Sequence, residues 1–177
     1  MNMRQKKGVS PIIATVLLII LTLVAVSILA VFVVRFVRDG LSSDDCYKIL
    51  NKVKLEEDSE YHCSYNNGTD KRTGFSVRID SDDVAGFSAL LSSGGSANSH
   101  RIELNGSDPL VRMLDRNFGE QFDVPTSGGV RTYVAKDLYS SVEISAILKS
   151  GKVCETHEKI EPINCINQNV ITNLFKY

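Results

Sequence analysis

The feature that most constrains this chain is a long uncharged run near its beginning. No charged side chain occurs from Gly8 to Val34, and hydroxyl groups interrupt the apolar interior of the run only at Thr15, Thr22 and Ser27. As a helix, residues 9–34 would be about 39 Å long, more than the roughly 30 Å of hydrocarbon in a bilayer. The three hydroxyls can hydrogen-bond to carbonyls of their own helix. We therefore predict a helix that spans a membrane.

Three kinds of spanning segment compete for this run. A cleaved secretory signal peptide has an apolar core of about 7–15 residues followed by a small-residue cleavage site. The run here is far longer, and Arg35-Phe36-Val37-Arg38 follows it, which argues against that class. Two classes remain. One is a plain signal anchor, and the other is a segment cut on the cytoplasmic side of the run, so that the helix stays in the mature protein.

The start of the run resembles the class III signal peptide of archaeal type IV pilins. The residues that carry the resemblance are Lys6-Lys7-Gly8 followed by Val9-Ser10-Pro11-Ile12-Ile13-Ala14-Thr15-Val16-Leu17-Leu18. The resemblance implies cleavage between Gly8 and Val9 by a membrane aspartic prepilin peptidase, with Lys6 and Lys7 holding the leader inside the cell. Bacterial pilins usually have Glu at the fifth residue after the cut. Ile13 stands there, so the likeness is to the archaeal branch, and it covers only the first 35 residues or so.

The resemblance implies a structural subunit, major or minor, of a type IV pilus-like surface filament, used most often for adhesion. The implied partners are other copies of the chain, the prepilin peptidase, a membrane platform protein and a secretion-type ATPase, with membrane lipid covering the helix before assembly. No substrate and no cofactor are implied. The alternative is a membrane-anchored surface receptor or adhesin that never polymerises.

The charges around the run predict its orientation. Arg4, Lys6 and Lys7 precede it, whereas the basic residues after it are soon followed by Asp39 and Asp44. The excess of basic residues before the run places the N-terminus in the cytoplasm and the rest of the chain outside. The whole chain has 20 basic and 21 acidic residues, so loss of residues 1–8 would leave a net charge of −4. An acidic chain argues against a nucleic-acid partner.

Four cysteines follow the run, at Cys46, Cys63, Cys154 and Cys165. Outside the cell they would face an oxidising space, which favours disulfides. Short separations favour the pairs Cys46–Cys63 and Cys154–Cys165, while a bridge joining the two ends of the domain stays open. A metal site is the competing interpretation, but no CxxC pair exists and the spacings fit no structural zinc module. We therefore expect disulfides and no metal.

Beyond the run, the pattern changes from helical to strand-like. We predict that the helix ends at Arg38-Asp39-Gly40 and that residues 41–45 form a connector. Alternating apolar residues predict strands near 53–55, 60–65, 75–79, 102–104, 132–135 and 142–148. Ser150-Gly151 predicts a hairpin turn after the last of these. Residues 84–91 fit a buried strand or a short helix, residues 110–122 suggest a helical turn, and residues 170–177 are undecided.

These patterns predict an α+β chain with one long helix followed by an antiparallel, sandwich-like external domain. The expected organisation is a leader at 1–8, an anchor and filament-core helix at 9–40, and an extracellular β-rich domain at 41–177. No catalytic motif surrounds the three histidines, and no GxSxG elbow or phosphate-binding loop occurs. We expect no enzyme activity and no catalytic residue.

Two glycosylation sequons lie on predicted turns. They are Asn67-Gly68-Thr69 and Asn105-Gly106-Ser107. Turns of an external domain are where a glycan can be attached. Two sequons are about the number expected by chance, so Asn67 and Asn105 are candidates whose occupancy the sequence leaves open.

Overall fold

The computed structural model describes the backbone of residues 11–177, with the side chains of 12–34, 45–154 and 158–177. The predicted cleavage junction at Gly8 and Val9, with Lys6 and Lys7, lies outside the described residues. The chain divides into two units between Asp45 and Cys46.

The first element is the helix α1, which runs without a break from Pro11 to Lys48. Its three hydroxyls donate to carbonyls one turn earlier, Thr15 to Ile12 at 2.9 Å, Thr22 to Ile19 at 2.8 Å, and Ser27 to Leu23 at 2.8 Å. The expected back-bonding is therefore confirmed. Each hydroxyl satisfies its hydrogen bond inside the helix and leaves the apolar surface without an unpaired polar group.

The predicted end of the helix at Arg38-Asp39-Gly40 is wrong, because the helical backbone continues through Gly40 and residues 41–45. A glycine inside a helix costs only about 1 kcal/mol relative to alanine and does not by itself stop one. The helix stops where Ile49 turns into the core of the second unit, 1% exposed. Asn51 then takes a positive φ of 61°, which an asparagine tolerates.

The second unit consists mainly of strands. Their bounds are β1 (Val53–Leu55), β2 (Cys63–Asn66), β3 (Lys71–Ile79), β4 (Val84–Ser93), β5 (Ser96–Glu103), β6 (Val111–Met113), β7 (Gly129–Ala135), β8 (Ser141–Leu148), β9 (Val153–Ile160) and β10 (Ile163–Asn164). A short helix, α2 (Gln168–Phe175), follows them. The prediction of a long apolar helix followed by a β-rich domain is thus confirmed.

The strands form two sheets. Sheet A has the order β10-β2-β3-β7-β6, and sheet B has the order β5-β4-β8-β9. In sheet A, β1 pairs with β3, on the same edge of β3 as β2. Every pair is antiparallel except β10 with β2, where Ile163 lies beside Cys63 in a parallel pair. The prediction of mainly antiparallel pairing is confirmed.

One hydrophobic core draws on both sheets. Phe75 and Tyr133 come from sheet A, and Phe87 and Ile144 come from sheet B; none is more than 1% exposed. The Tyr133 ring lies 5.1 Å from that of Phe87, edge to face, and 5.8 Å from that of Phe75. Its hydroxyl donates to the Asp123 carbonyl at 3.0 Å, so the one polar atom of this ring is satisfied.

Three predicted segments can be compared with these elements. Residues 84–91, which fitted a strand or a helix, belong to β4, and Ser150-Gly151 does connect β8 to β9, as predicted. The predicted helical turn at 110–122 is wrong: β6 lies there, followed by turns. Asp108 accepts the N–H groups of Leu110 and Val111 through Oδ1, at 2.7 and 3.0 Å, and this favours an extended start over a helical one.

Candidate functional site: the apolar helix and the disulfide-bonded domain

The most unusual surface of the described chain is the helix segment Ile12–Val34. It is long and apolar enough to cross a membrane, and every residue in it is exposed in the single chain. Large side chains such as Leu21 and Phe32 are 71% and 68% exposed. Leaving such surface in water is unfavourable by about 25 cal/mol per Å². Lipid or other apolar helices would cover it.

The two disulfides join distant parts of the second unit. Cys46 is bonded to Cys154, and Cys63 is bonded to Cys165, with Cα separations of 5.4 and 4.9 Å. The favoured pairing of sequence neighbours was therefore wrong, and the alternative of bridging the ends of the domain was right. The parallel pair of β2 with β10 places Cys165 next to Cys63, which no local pattern reveals.

No cysteine is free, so none remains as a thiolate ligand. Among the side chains that the structure describes, no group of three or more His, Cys, Asp or Glu residues is arranged to hold a metal ion. Disulfide bonds of this kind are typical of proteins in an oxidising space outside the cytosol.

A buried histidine lies at the margin of the core. His100 on β5 is 7% exposed, and its Nδ1 lies 2.8 Å from Oδ2 of Asp108. The other carboxylate oxygen of Asp108 accepts the two backbone N–H groups at the start of β6. Within the described side chains, Nε2 of His100 has no hydrogen-bond partner. The pair ties the loop before β6 to the edge of sheet B.

Arg112 on β6 is the largest polar side chain in the interior, 1% exposed. Its guanidinium donates to the carbonyls of Met113, Leu114 and Arg116 at 2.8, 2.8 and 3.1 Å, and to that of Leu174 at 2.8 Å. Burial first, and the neighbouring Arg72 second, lower the pKa of Arg112 to about 10. The group is therefore still charged at neutral pH, and it holds the end of α2 against sheet A.

Aromatic rings pack against Arg112 and the neighbouring Arg72. The guanidinium carbons of Arg72 and Arg112 lie 5.3 and 5.4 Å from the centre of the Phe118 ring, and Arg112 also lies 5.7 Å from that of Tyr177. Stacking of this kind stabilises cations that have lost water. The cluster fastens the C-terminal helix rather than offering a free cationic surface.

An open cleft of about 530 Å³ lies on the second unit. Val84, Leu104 and Pro125 give it an apolar lining, and Asp82 and Lys149 add charged groups. Its size is within the range of small-ligand pockets, roughly 300–1,000 Å³.

Both candidate glycosylation sites are exposed. Oδ1 of Asn67 accepts the N–H groups of Thr69 and Asp70, at 3.0 and 2.6 Å, which fixes a tight polar turn. Asn105 adopts a positive φ of 62°, and its N–H donates to the Phe122 carbonyl at 3.0 Å. Occupancy by glycan stays a prediction.

Comparison with known proteins gives no family. No family model matches the chain, and no curated protein or solved structure matches it either. The likeness to archaeal pilins therefore depends on residues 6–18 alone.

Sequence reasoning missed two features of the second unit. The hydrogen bonds of Arg112 and the pair of His100 with Asp108 depend on residues from different strands and loops. Neither arginine nor histidine stood in a recognisable motif. The one available signal was a charged residue, Arg112, between the apolar Val111 and Met113.

Proposed function

We propose that this protein is a structural subunit, major or minor, of an archaeal type IV pilus-like surface filament used for adhesion. Two observations carry the proposal. The helical surface of Ile12–Val34 is uncharged and all of it is exposed in the single chain, and the junction Lys6-Lys7-Gly8-Val9 that precedes it is what separates a pilin from a plain anchor. Such a helix forms the filament core when it packs against the same helix of other copies. The second unit is then displayed on the outside.

The energetics of assembly follow from the same surface. Before assembly, lipid covers the helix; afterwards, neighbouring helices do, so little apolar area meets water at any stage. Lipid tails are as apolar as the helix surface, so the hydrophobic effect does not drive the helices together, and their association depends on close packing. Small side chains at Ala14, Ala25 and Ala30 permit close approach. Because the three hydroxyls bond within their own helix, lipid contact costs them no hydrogen bond.

The outer domain suits an exposed location. We interpret the two sheets with their common core as a sandwich, closed by two disulfides that resist reduction outside the cell. The orientation that the flanking charges predict, with the N-terminus in the cytoplasm, places this domain at the cell surface. By resemblance, the prepilin peptidase cuts between Gly8 and Val9, and the platform protein and ATPase drive assembly.

The decisive experiment is the N-terminus of the native protein. Mass spectrometry of protein sheared from cells should give a chain that begins at Val9. A chain that begins at Met1 or Asn2 would refute the pilin proposal. The variant Gly8→Val should block processing and abolish filaments in electron micrographs. Gly40→Ala is the matched control, because it changes a glycine within a helical backbone and should leave processing intact.

The second candidate is a surface receptor or adhesin that does not polymerise. The open cleft of about 530 Å³ on the second unit supports it, because a receptor needs a ligand site. The displayed domain of an adhesive filament would use the same cleft, so the N-terminus is what separates the two candidates. This candidate predicts an unprocessed N-terminus and single chains in the membrane. A processed chain that forms filaments only together with another subunit would instead identify a minor pilin.

A further inference from the structure

The strand edges of the two sheets differ in how well they are protected. In sheet A the outer strands are short, with two residues in β10 and three in β6. In sheet B, β9 is held by the Cys46–Cys154 disulfide, and its Glu158 accepts the N–H of Leu55 at 3.2 Å. The other edge of sheet B is β5, with eight residues. In the described part of the chain, β5 and β9 are both eight-residue edges that no further strand covers, but only β9 is held by a disulfide.

The pairing with β4 identifies which groups of β5 are open. Ser93 pairs with Ser96 across the two-residue turn, and hydrogen-bonded pairs alternate along an antiparallel ladder. The N–H and C=O groups of Ala97, Ser99 and Arg101 therefore point away from β4. No described residue hydrogen-bonds to them. The open edge ends at Glu103, whose carbonyl accepts the N–H of Gly106 at 3.0 Å.

Two of the usual devices that prevent strand addition, proline and a bulge, are missing from β5. Exposed edges are commonly blunted by proline, by charged side chains, especially lysine, or by a bulge. The sequence from Ser96 to Glu103 contains neither proline nor lysine, and its Arg101 is paired with Glu103 of the same strand. Its ladder with β4 is regular, whereas the ladders of β8 with β4 and with β9 both contain a shift. Ser96–Ser99 and Arg101 are exposed.

We propose that β5 pairs antiparallel with β5 of a second copy of this chain, with Ser99 opposite Ser99. In this register, Ala97 of each copy lies opposite Arg101 of the other. The three open residues of one strand meet the three open residues of the other, and about six backbone hydrogen bonds form. Every open group then has a partner, so the edge is complementary to itself.

The number of open backbone groups that find a partner favours this register over its neighbours, and charge adds a smaller contribution because Glu103 of the same strand already pairs with Arg101. A shift by two residues brings Ser99 opposite Arg101 and places the two Arg101 side chains on a diagonal. It also needs the carbonyl of Glu103, which is already bonded within the chain. A shift by four residues places Ala97 opposite residue 105, beyond the end of β5, so its open groups lose their partners. It also places Arg101 directly opposite Arg101, where like charges are destabilising to the extent that Glu103 does not neutralise them. With Ser99 opposite Ser99, each Arg101 faces the small side chain of Ala97.

The contact is small and would be weak between free domains. Chains held in one membrane have a high effective concentration, which makes such a contact effective without further surface. Because the contact is isologous, with a twofold axis between the copies, the inference applies to pairs of chains in the membrane and not to neighbours along a helical filament. It stands or falls separately from the pilin proposal, which the N-terminus tests.

The first experiment is cross-linking of the full chain in its native membrane. Paired residues of this type have Cα atoms about 5.5 Å apart, within the range of a disulfide or a short thiol cross-linker. All four native cysteines are already bonded, so Ser99→Cys introduces the one reactive thiol. We expect a covalent dimer on a non-reducing gel.

Ser88→Cys is the matched control. Ser88 lies one strand further in, with its hydroxyl 2.7 Å from that of Ser99, and the control should give at least about tenfold less dimer, because the two Ser88 sites would be roughly 20 Å apart.

A second experiment removes one open group without disturbing the sheet. The pair of Ser99 with Leu90 is one of the non-hydrogen-bonded pairs of the ladder, so the N–H of Ser99 points away from β4. Ser99→Pro therefore keeps the ladder with β4 and removes this outward N–H. The reporter is the cross-link between one chain with Ala97→Cys and another with Arg101→Cys. We expect Ser99→Pro to reduce this cross-link at least about tenfold and Ser99→Ala to leave it unchanged.

Circular dichroism and the intact native disulfides confirm the fold of each variant. Equal cross-linking of Ser99→Cys and Ser88→Cys would overturn the proposal, as would full cross-linking in the folded Ser99→Pro variant. A covalent adduct of Ser99→Cys with a different protein would also overturn pairing with a second copy.

Discussion

Cys154 follows Cys46 by 108 residues, yet a disulfide joins them with 5.4 Å between their Cα atoms. The second bond, from Cys63 to Cys165, spans 102 residues. The four positions alternate between the two bonds along the chain, so the two closed loops interlock. The first bond ties the last turn of α1 to the beginning of β9, and the second ties β2 to the segment before α2. Each bond therefore limits how far the other loop can open.

We expect removal of the first disulfide, whichever it is, to cost less stability than removal of the second. While one bond remains, the other closes a loop of only about 28 residues and contributes about 3.5 kcal/mol in the chain-entropy model. The remaining bond then closes about 100 residues and contributes about 4.7 kcal/mol. Urea denaturation of Cys46→Ala with Cys154→Ala, of Cys63→Ala with Cys165→Ala, and of the quadruple variant measures these steps. Peptide mapping without reductant that linked Cys46 to Cys63 would contradict the pairing.

The interlocking predicts how far the unit extends under force. Between residue 46 and Tyr177, tension passes through Cys46–Cys154 and leaves about 23 residues extensible, or about 80 Å. Without that bond, the path through Cys63–Cys165 leaves about 29 residues, or about 100 Å. Only loss of both bonds should release about 131 residues, or about 450 Å. Single-molecule pulling of the native chain, of the variant with Cys46→Ala and Cys154→Ala, and of the native chain in reductant gives these three lengths. A long extension after removal of just one bond would show that the loops do not interlock.

Arg112 should be essential for the attachment of α2. Arg112→Met leaves buried carbonyls without their donor, including that of Leu174, and we expect a loss of about 3 kcal/mol in the free energy of unfolding. Arg112→Lys should recover part of this, because an ammonium cannot reach as many carbonyls as a guanidinium. Arg131→Met is the matched control, since its ion pair with Asp123 is exposed and should be worth less than about 1 kcal/mol. Equal losses for Arg112→Met and Arg131→Met would refute the assigned role.

His62 should make stability fall in mildly acidic solution. Burial lowers its pKa below the ordinary 6.5, although Nε2 lies 3.2 Å from the Ser76 carbonyl. The unfolded chain therefore binds a proton more readily than the folded one, and stability is lost as the pH falls from 6.5 through the lower folded-state pKa. The free energy of unfolding, measured from pH 7 to pH 5, should fall more in the native chain than in His62→Gln. Parallel curves would show that burial of His62 has no such effect.

Local patterns predicted the elements that depend on neighbouring residues. The uncharged run predicted the apolar helix, alternation predicted β3 and β8, and Ser150-Gly151 predicted the turn into β9. These features need only the periodicity of side chains and the preferences of a few turn residues. The end of the helix was mispredicted because Gly40 is a local signal, whereas burial of Ile49 in the core is not.

The sequence by itself determined that a long apolar helix precedes a β-rich domain, because hydrophobic periodicity is written residue by residue. The tertiary structure alone decided the partners of Cys46 and Cys63, the four carbonyls around Arg112, and the open edge of β5. Each of these depends on which strands become neighbours, and the order of strands in a sheet is set by packing of the whole core. Residues about 100 positions apart then lie in contact, at a distance that no spacing along the chain encodes.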